Sequence, residues 1–310
     1  MKYLFFIALS FVLIALPLFV TPYIQHLAIL IFLYAFLGQA WNILGGFGGQ
    51  FSFGHATFFG IGAYTSTVLF VKFGVSPWLG MFMGGIISLS FGLFCGFLSF
   101  RYGLKGPYFA LVMLGFAEVL RIIALNWKFV EGAMGILIPF KGHSFYYLQF
   151  NRREEYYYLI LAMMVISLYI TYRLEKSKMG DYLVSIREDE AASEAIGINV
   201  FRYKLIAMGI SAFLTSLGGT FYAQYVSYIE PNLNFGASVS IEILLRPILG
   251  GLGTIWGPII GAFILGPLAE ASRVLLGGYS GIHLALYGLI LMIVIAYLPN
   301  GVIGLFKKWD

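Results

Sequence analysis

The sequence predicts an all-α, polytopic membrane helix bundle of about ten crossings, some of them Gly/Pro-broken or re-entrant, on three observations. First, of 310 residues 60% are hydrophobic and only 11% charged, with a mean hydropathy of +0.88. A soluble domain carries roughly a quarter of its residues as Asp, Glu, Lys and Arg. With half that charge, too few polar groups remain to cover a water-facing surface, so lipid has to be the solvent for most of the chain. Second, the apolar residues come in continuous runs of about 20, the length of a spanning helix, rather than the short alternating segments of a membrane barrel. Third, Lys and Arg fall between these runs.

The expected crossings are residues 4–21, 24–44, 54–73, 78–100, 107–127, 156–173, 205–228, 237–257, 258–276 and 282–304. The first begins as a signal peptide does, with Lys2 and an apolar stretch. That stretch is long for a cleaved leader, and Thr21-Pro22 follows in place of a small-x-small site, so a retained span is expected. The chain reads as one transmembrane domain over residues 1–310 with a cytoplasmic segment at about 174–204. The orientation follows from Lys2, Arg101, Lys105, Arg173–Lys204 and Lys307-Lys308 on one face. The loop Trp127–Glu155 on the other face mixes Lys128, Lys141, Arg152 and Arg153 with Glu131, Glu154 and Glu155. By the positive-inside bias both ends of this pattern are cytoplasmic. The net charge of +5 forms no stripe with aromatics, so nucleic acid is not an expected partner. The single Cys95 lies in the apolar run Phe91–Leu98, and no Cys/His spacing suits a metal.

Small residues recur every fourth position: Gly80, Gly84, Ser88, Gly92 and Gly96; Ser211, Thr215, Gly219, Ala223 and Ser227; and Gly253, Gly257 and Gly261. In lipid such rows let helix backbones approach closely. Two segments are too rich in glycine and proline for ordinary helix, Gly45–His55 and Pro247–Thr254, the second running on to Pro258. At membrane depth such backbone is tolerated where protein buries it or where it lines a cavity. A surface loop would account for each segment equally well. Gly48, Ser52, His55, Gly250 and Gly253 are therefore the candidate lining of a path. Opposite charges at helical spacing, Glu118/Arg121, Glu242/Arg246 and Glu270/Arg273, sit inside apolar spans. Each pair shares a helix face, where it serves as a structural ion pair or marks function.

The segment Lys178–Leu205 is the most particular. Ser185 and Glu188 have capping-box spacing, Asp189 can cap a second start, and Gly197 is placed to end a helix over Glu190–Ile196. Ala192, Ala195 and Ile196 then share a small, mildly apolar face suited to a partner or to lying on lipid.

Glu190-Ala191-Ala192 followed by Gly197 resembles the EAA loop of ABC importer permeases, with one residue more before the glycine than is commonest. The phrases Ile186–Ala192, Ala195–Asn199 and Tyr203–Leu205 resemble the LivM-type branched-chain amino-acid permease family. So do Trp41–Gly46, Ser52–His55, Gly60–Tyr64, Gly106–Ala110 and Gly250–Pro258, along about residues 38–300. Arg246-Pro247 departs from the aliphatic residues the family pattern leads one to expect.

The resemblance implies a permease subunit of an ATP-driven importer in a bacterial or archaeal plasma membrane (the inner membrane of a Gram-negative cell). Its expected partners are a sister permease, two ATPase subunits and an external substrate-binding protein, with Glu190, Ala191, Ala192 and Gly197 coupling to an ATPase. Branched-chain amino acids are the implied substrates, with urea or short amides in related permeases. ATP-Mg is expected in the partner subunits and no cofactor in this chain, which has no Gly-Lys dipeptide and hence no P-loop. An ion-coupled secondary transporter or channel is the alternative, which the charged pairs would serve. No nucleophile with its base suggests an enzyme.

Overall fold

The computed structural model describes residues 13–276, 288–289, 292 and 301–307. Residues 13–19 are helical. Then come α1 (Pro22–Asn42), a π-helical turn (Ile43–Phe47), α2 (His55–Phe73), α3 (Pro77–Arg101) and α4 (Gly106–Asn126). After a folded loop follow α5 (Arg153–Glu175), α6 (Lys178–Glu188), α7 (Glu190–Ala195) and α8 (Val200–Val226). The chain goes on through α9 (Pro231–Phe235), α10 (Ala237–Gly250), α11 (Gly257–Leu276) and α12 (Gly301–Lys307). Proline in the first turn starts α1, α3, α4 and α9, where its missing N–H costs no helix bond. Gly74, at φ +68°, closes α2 in the left-handed region.

Among the described residues seven helical stretches are long and apolar enough to cross a membrane, with a shorter apolar helix at Gly257–Ser272. The eight expected crossings from 24–44 to 258–276 each fall on one of these. Residues 4–12 of the first expected crossing, and most of 282–304, lie outside the described residues.

Successive loops alternate between two faces. On one, Lys105 of the α3–α4 loop pairs with Glu190 at 2.7 Å, and Arg187 donates to the Gly46 carbonyl at 3.0 Å. On the other, Ser76 donates to the Tyr146 carbonyl at 2.6 Å, and Arg153 to that of Pro22 at 2.7 Å. There the loop between α4 and α5 folds into two 3-10 turns and strand β1 (Ile136–Leu137). β1 pairs antiparallel with β2 (Tyr228–Ile229), in register Ile136 to Ile229 and Leu137 to Tyr228. Among the described residues, Lys105 and Arg187 fall on the first face and the loop Trp127–Glu155 on the second, as the expected two sets of basic residues require. A thiol at Tyr146, which is exposed, is expected to react with an impermeant maleimide added to intact cells, and one at the exposed Glu194 is not. Cys95 is fully buried and leaves a quiet background. Labelling at 194 alone would invert the orientation.

The small-residue rows are where α2, α3 and α8 meet. A Cβ on Gly62 would strike the Ser216 carbonyl, one on Gly219 that of Phe59, and one on Gly92 the Ala212 methyl. Ser88 adds a hydrogen bond to the Ala212 carbonyl at 2.8 Å. Gly257 and Gly261 continue the third row on α11, where Gly261 lies on the backbone of Arg246, but Gly253 lies off the helix. α1 runs through the centre, flanked by α5, α8, α10 and α11.

The second broken segment starts later than expected. Pro247–Gly250 is helical, and the chain leaves the helix only at Gly251. Pro247 lacks an N–H, which leaves the Ile243 carbonyl without its helical donor, yet packing around Arg246–Gly250 keeps the last turn intact.

Candidate coupling and translocation site

On the face that holds Arg187, a chain of caps builds a helix pair. Ser177 accepts from the Gly180 N–H at 3.3 Å and starts α6. Asp189, extended at φ −155°, breaks the helix and its carboxylate accepts from the Ala192 N–H at 3.0 Å, starting α7. Gly197, at φ +88°, makes the turn out, and Asn199 caps α8 through the Arg202 N–H at 2.9 Å. The expected helix over Glu190–Ile196 is thus present, one residue shorter by its bounds. Ser185 is not the cap its spacing suggested. It lies inside α6 and its hydroxyl meets that of Ser193 at 2.8 Å, tying the two helices together.

Glu190 anchors the pair. Its carboxylate accepts from Lys105 at 2.7 Å, from the buried Lys204 and from Gln50 at 3.5 Å. Ala192, Ala195 and Ile196 remain exposed, Ile196 by 75%. Burial pushes the Glu190 carboxyl up, but the two lysines outweigh it and hold it below the usual carboxylate range. The hydrogen bond to Glu190 holds Lys105 above the usual lysine range. The depressed Glu190 contributes stability above the unfolded carboxylate range and loses it as pH falls through the folded pKa. The raised Lys105 contributes below the unfolded lysine value and loses it as pH rises through its own. A fluorophore at residue 194 should therefore keep constant anisotropy between about pH 6 and about pH 9, and gain mobility below about pH 4. Loss of order already near neutrality would contradict the anchoring role.

The two broken segments meet beside this pair. Asn42, the last residue of α1, accepts from the Gly253 N–H at 3.0 Å and donates to the Thr254 carbonyl at 2.9 Å. Gln39 donates to the Ile255 carbonyl at 2.6 Å. Arg187 reaches the Gly46 carbonyl and packs its stem on Gly49, which sits at φ +66°. Among the path candidates, Gly253 closes this junction at φ +66°, and Gly48 packs between the Leu44 carbonyl and Leu183 of α6. Gly250 lies against the backbone of Gly257 and Gly261. Ser52 and His55 are fully buried. His55 bridges Ser52 at 3.2 Å and Ser211 at 2.8 Å, and Ser211 donates to the Ala40 carbonyl. In this conformation these five residues hold helices together. The polar pairing of Gln39 and Asn42 with the second break is the feature that sequence reasoning missed. Two amides ending an otherwise apolar helix were the available signal.

The charged pairs separate. Glu118 and Arg121 form a close ion pair at the bundle surface, and Arg121 donates to Asn232 at 2.6 Å. Glu242, Arg246 and Glu270 instead line one cavity between α1, α8, α10 and α11. The side chain of Arg273, the expected partner of Glu270, lies outside the described residues. No group of His, Cys, Asp and Glu among the described residues is arranged to hold a metal.

Broken helices meeting in a bundle that also encloses an intramembrane cavity with charged side chains in its wall, with a capped helix pair on one face, are the build of a multi-pass membrane permease. The family model described as "Branched-chain amino acid transport system / permease component" matches residues 23–295, and the chain belongs to that family. It is 28% identical to the high-affinity branched-chain amino acid transport system permease protein LivM of Salmonella typhimurium, covering 98% of this chain and 75% of that protein. LivM of Escherichia coli matches to the same extent. The permease protein LivH of Escherichia coli is 25% identical over 87% of this chain. No solved structure matches. The chain is a membrane transport component of the plasma membrane rather than an enzyme.

Proposed function

We propose that this chain is the transmembrane permease subunit of an ABC importer that translocates the branched-chain amino acids Leu, Ile and Val. In this reading it pairs with a sister permease, receives substrate from an external binding protein, and is driven by ATP hydrolysis in two partner ATPase subunits. The observation that carries the reading is α7: a capped helix with an exposed apolar face and a polar base hydrogen-bonded to both Lys105 and Lys204. A helix of six residues is marginal alone and gains order from what it docks on. Glu190 meets Gln50 of the first broken segment, and α6, tied to α7 through Ser185 and Ser193, reaches Gly46 through Arg187, so a push on α7 has a way into the bundle. Glu190, Ala191, Ala192 and Gly197 act at the ATPase in this reading, within a single permease domain whose cytoplasmic coupling segment is about 174–204.

The test is uptake of labelled leucine into proteoliposomes that hold the chain with its sister permease and ATPases, with loaded binding protein outside. Uptake that requires ATP and binding protein is the expected result. Uptake by the permeases alone under a proton or sodium gradient would replace this reading with ion-coupled transport.

A further inference from the structure

The cavity between α1, α8, α10 and α11 has a volume of about 160 Å³. One water needs about 10–15 Å³ of such space, so it has room for a solute of about ten non-hydrogen atoms. Leu27, Leu30, Ile31, Val226, Ala262 and Ala269 make most of its wall apolar. Its charged groups among the described side chains are Glu242, Arg246 and Glu270. The guanidinium of Arg246 stacks on the Tyr34 ring, 3.6 Å from the centroid, and donates to the Glu242 carbonyl. It stands 3.7 Å from the Glu242 carboxylate, beyond hydrogen-bond distance. Arg246 is 3% exposed, and its Nε, closed off from the cavity, has no hydrogen-bond partner among the described residues. The Tyr23 hydroxyl donates to Glu270 at 3.3 Å on the opposite wall.

A planar fork whose face is fixed on an aromatic ring recognises a carboxylate edge-on. A purely anionic solute would meet two carboxylates in this cavity, and a purely cationic one would meet Arg246. A zwitterion meets a complement for each charge. We propose that this cavity is a subsite for the α-amino-acid headgroup, with Arg246 reading the carboxylate and Glu242 and Glu270 the ammonium, while an aliphatic side chain lies along Leu27, Leu30, Ile31 and Ala262. The proposal rests on the amino-acid permease reading above and adds to it the residues that recognise the substrate inside the membrane.

The experiment uses the reconstituted assembly and a leucine analogue whose side chain carries a photoactivated diazirine. After illumination, adducts are expected on Leu30, Ile31 or Ala262. Excess L-leucine should suppress them about tenfold more than 3-methylbutylamine, which lacks the carboxylate, or 4-methylpentanoate, which lacks the ammonium. The double variant Glu242→Gln/Arg246→Met removes both charges together and leaves neither uncompensated. It should lose the adducts while reaching the membrane and co-purifying with the ATPases as before. Adducts confined to other helices in a wild-type assembly that imports leucine would overturn the subsite and leave the importer reading standing. Equal competition by the amine would do the same. A wild-type assembly that imports no leucine overturns the amino-acid reading itself.

Discussion

Ala192→Pro is expected to abolish stimulation of ATP hydrolysis by loaded binding protein, and leucine uptake with it, while the chain inserts in the membrane at wild-type level. Ala192 is the third residue of α7, and its N–H is the one that the Asp189 carboxylate accepts. Proline removes that donor and drives Ala191 away from helical backbone. Loss of the cap alone costs about 1 kcal/mol, and a two-turn helix has no reserve to absorb it. No spanning segment is touched, and in the importer reading the binding protein docks on the opposite face of the bundle. Ile196→Asp separates docking from folding: the side chain is 75% exposed, so a charge there leaves the chain intact and spoils only an apolar contact. Stimulation should fall about tenfold or more in both variants. Near-normal hydrolysis and uptake in both would remove α7 from the coupling role and favour ion-coupled transport.

Gly250→Val is expected to cost the bundle about 3 kcal/mol or more, seen as a lower thermal midpoint in detergent and recovery of the chain in aggregates. A Cβ at this position would meet the Gly257 carbonyl and the Gly261 nitrogen, both backbone, so no side-chain rotation makes room. α11 would have to move off α10, and the Gly251–Trp256 turn that Asn42 and Gln39 hold would move with it. A variant that stays folded but fails to transport would instead place Gly250 on the solute path.

The helices were legible in the sequence because lipid enforces a simple rule: backbone in hydrocarbon has to satisfy its own hydrogen bonds, so apolar length reads directly as helix. The α7 start was legible for a local reason, since Asp189 and Gly197 act on their own neighbours. Ser185 misled because capping spacing cannot tell that Ser177 has already started a helix running through it. Pro247 misled in the same way: its local preference is against helix, and tertiary packing around Arg246–Gly250 overrides it. The meeting of the two breaks was not legible at all. It depends on Asn42 and Thr254 lying side by side, a contact across 212 positions of sequence that no local pattern announces. Nor does spacing distinguish the Glu118/Arg121 pair, which closes at the bundle surface, from Glu242/Arg246, an ion pair at 3.7 Å whose guanidinium also stacks on Tyr34.

The seam of small residues between α2, α3 and α8 also makes the molecule mechanically uneven. Where Gly62, Gly92 and Gly219 bring helix against helix, there is almost no free volume to squeeze out. The cavity of about 160 Å³ flanked by α1, α8, α10 and α11 leaves its walls without that support, although α10 and α11 meet as closely where Gly250 and Gly261 touch facing backbone. The bundle is therefore stiffest along its glycine contacts and most able to yield where the cavity holds its walls apart.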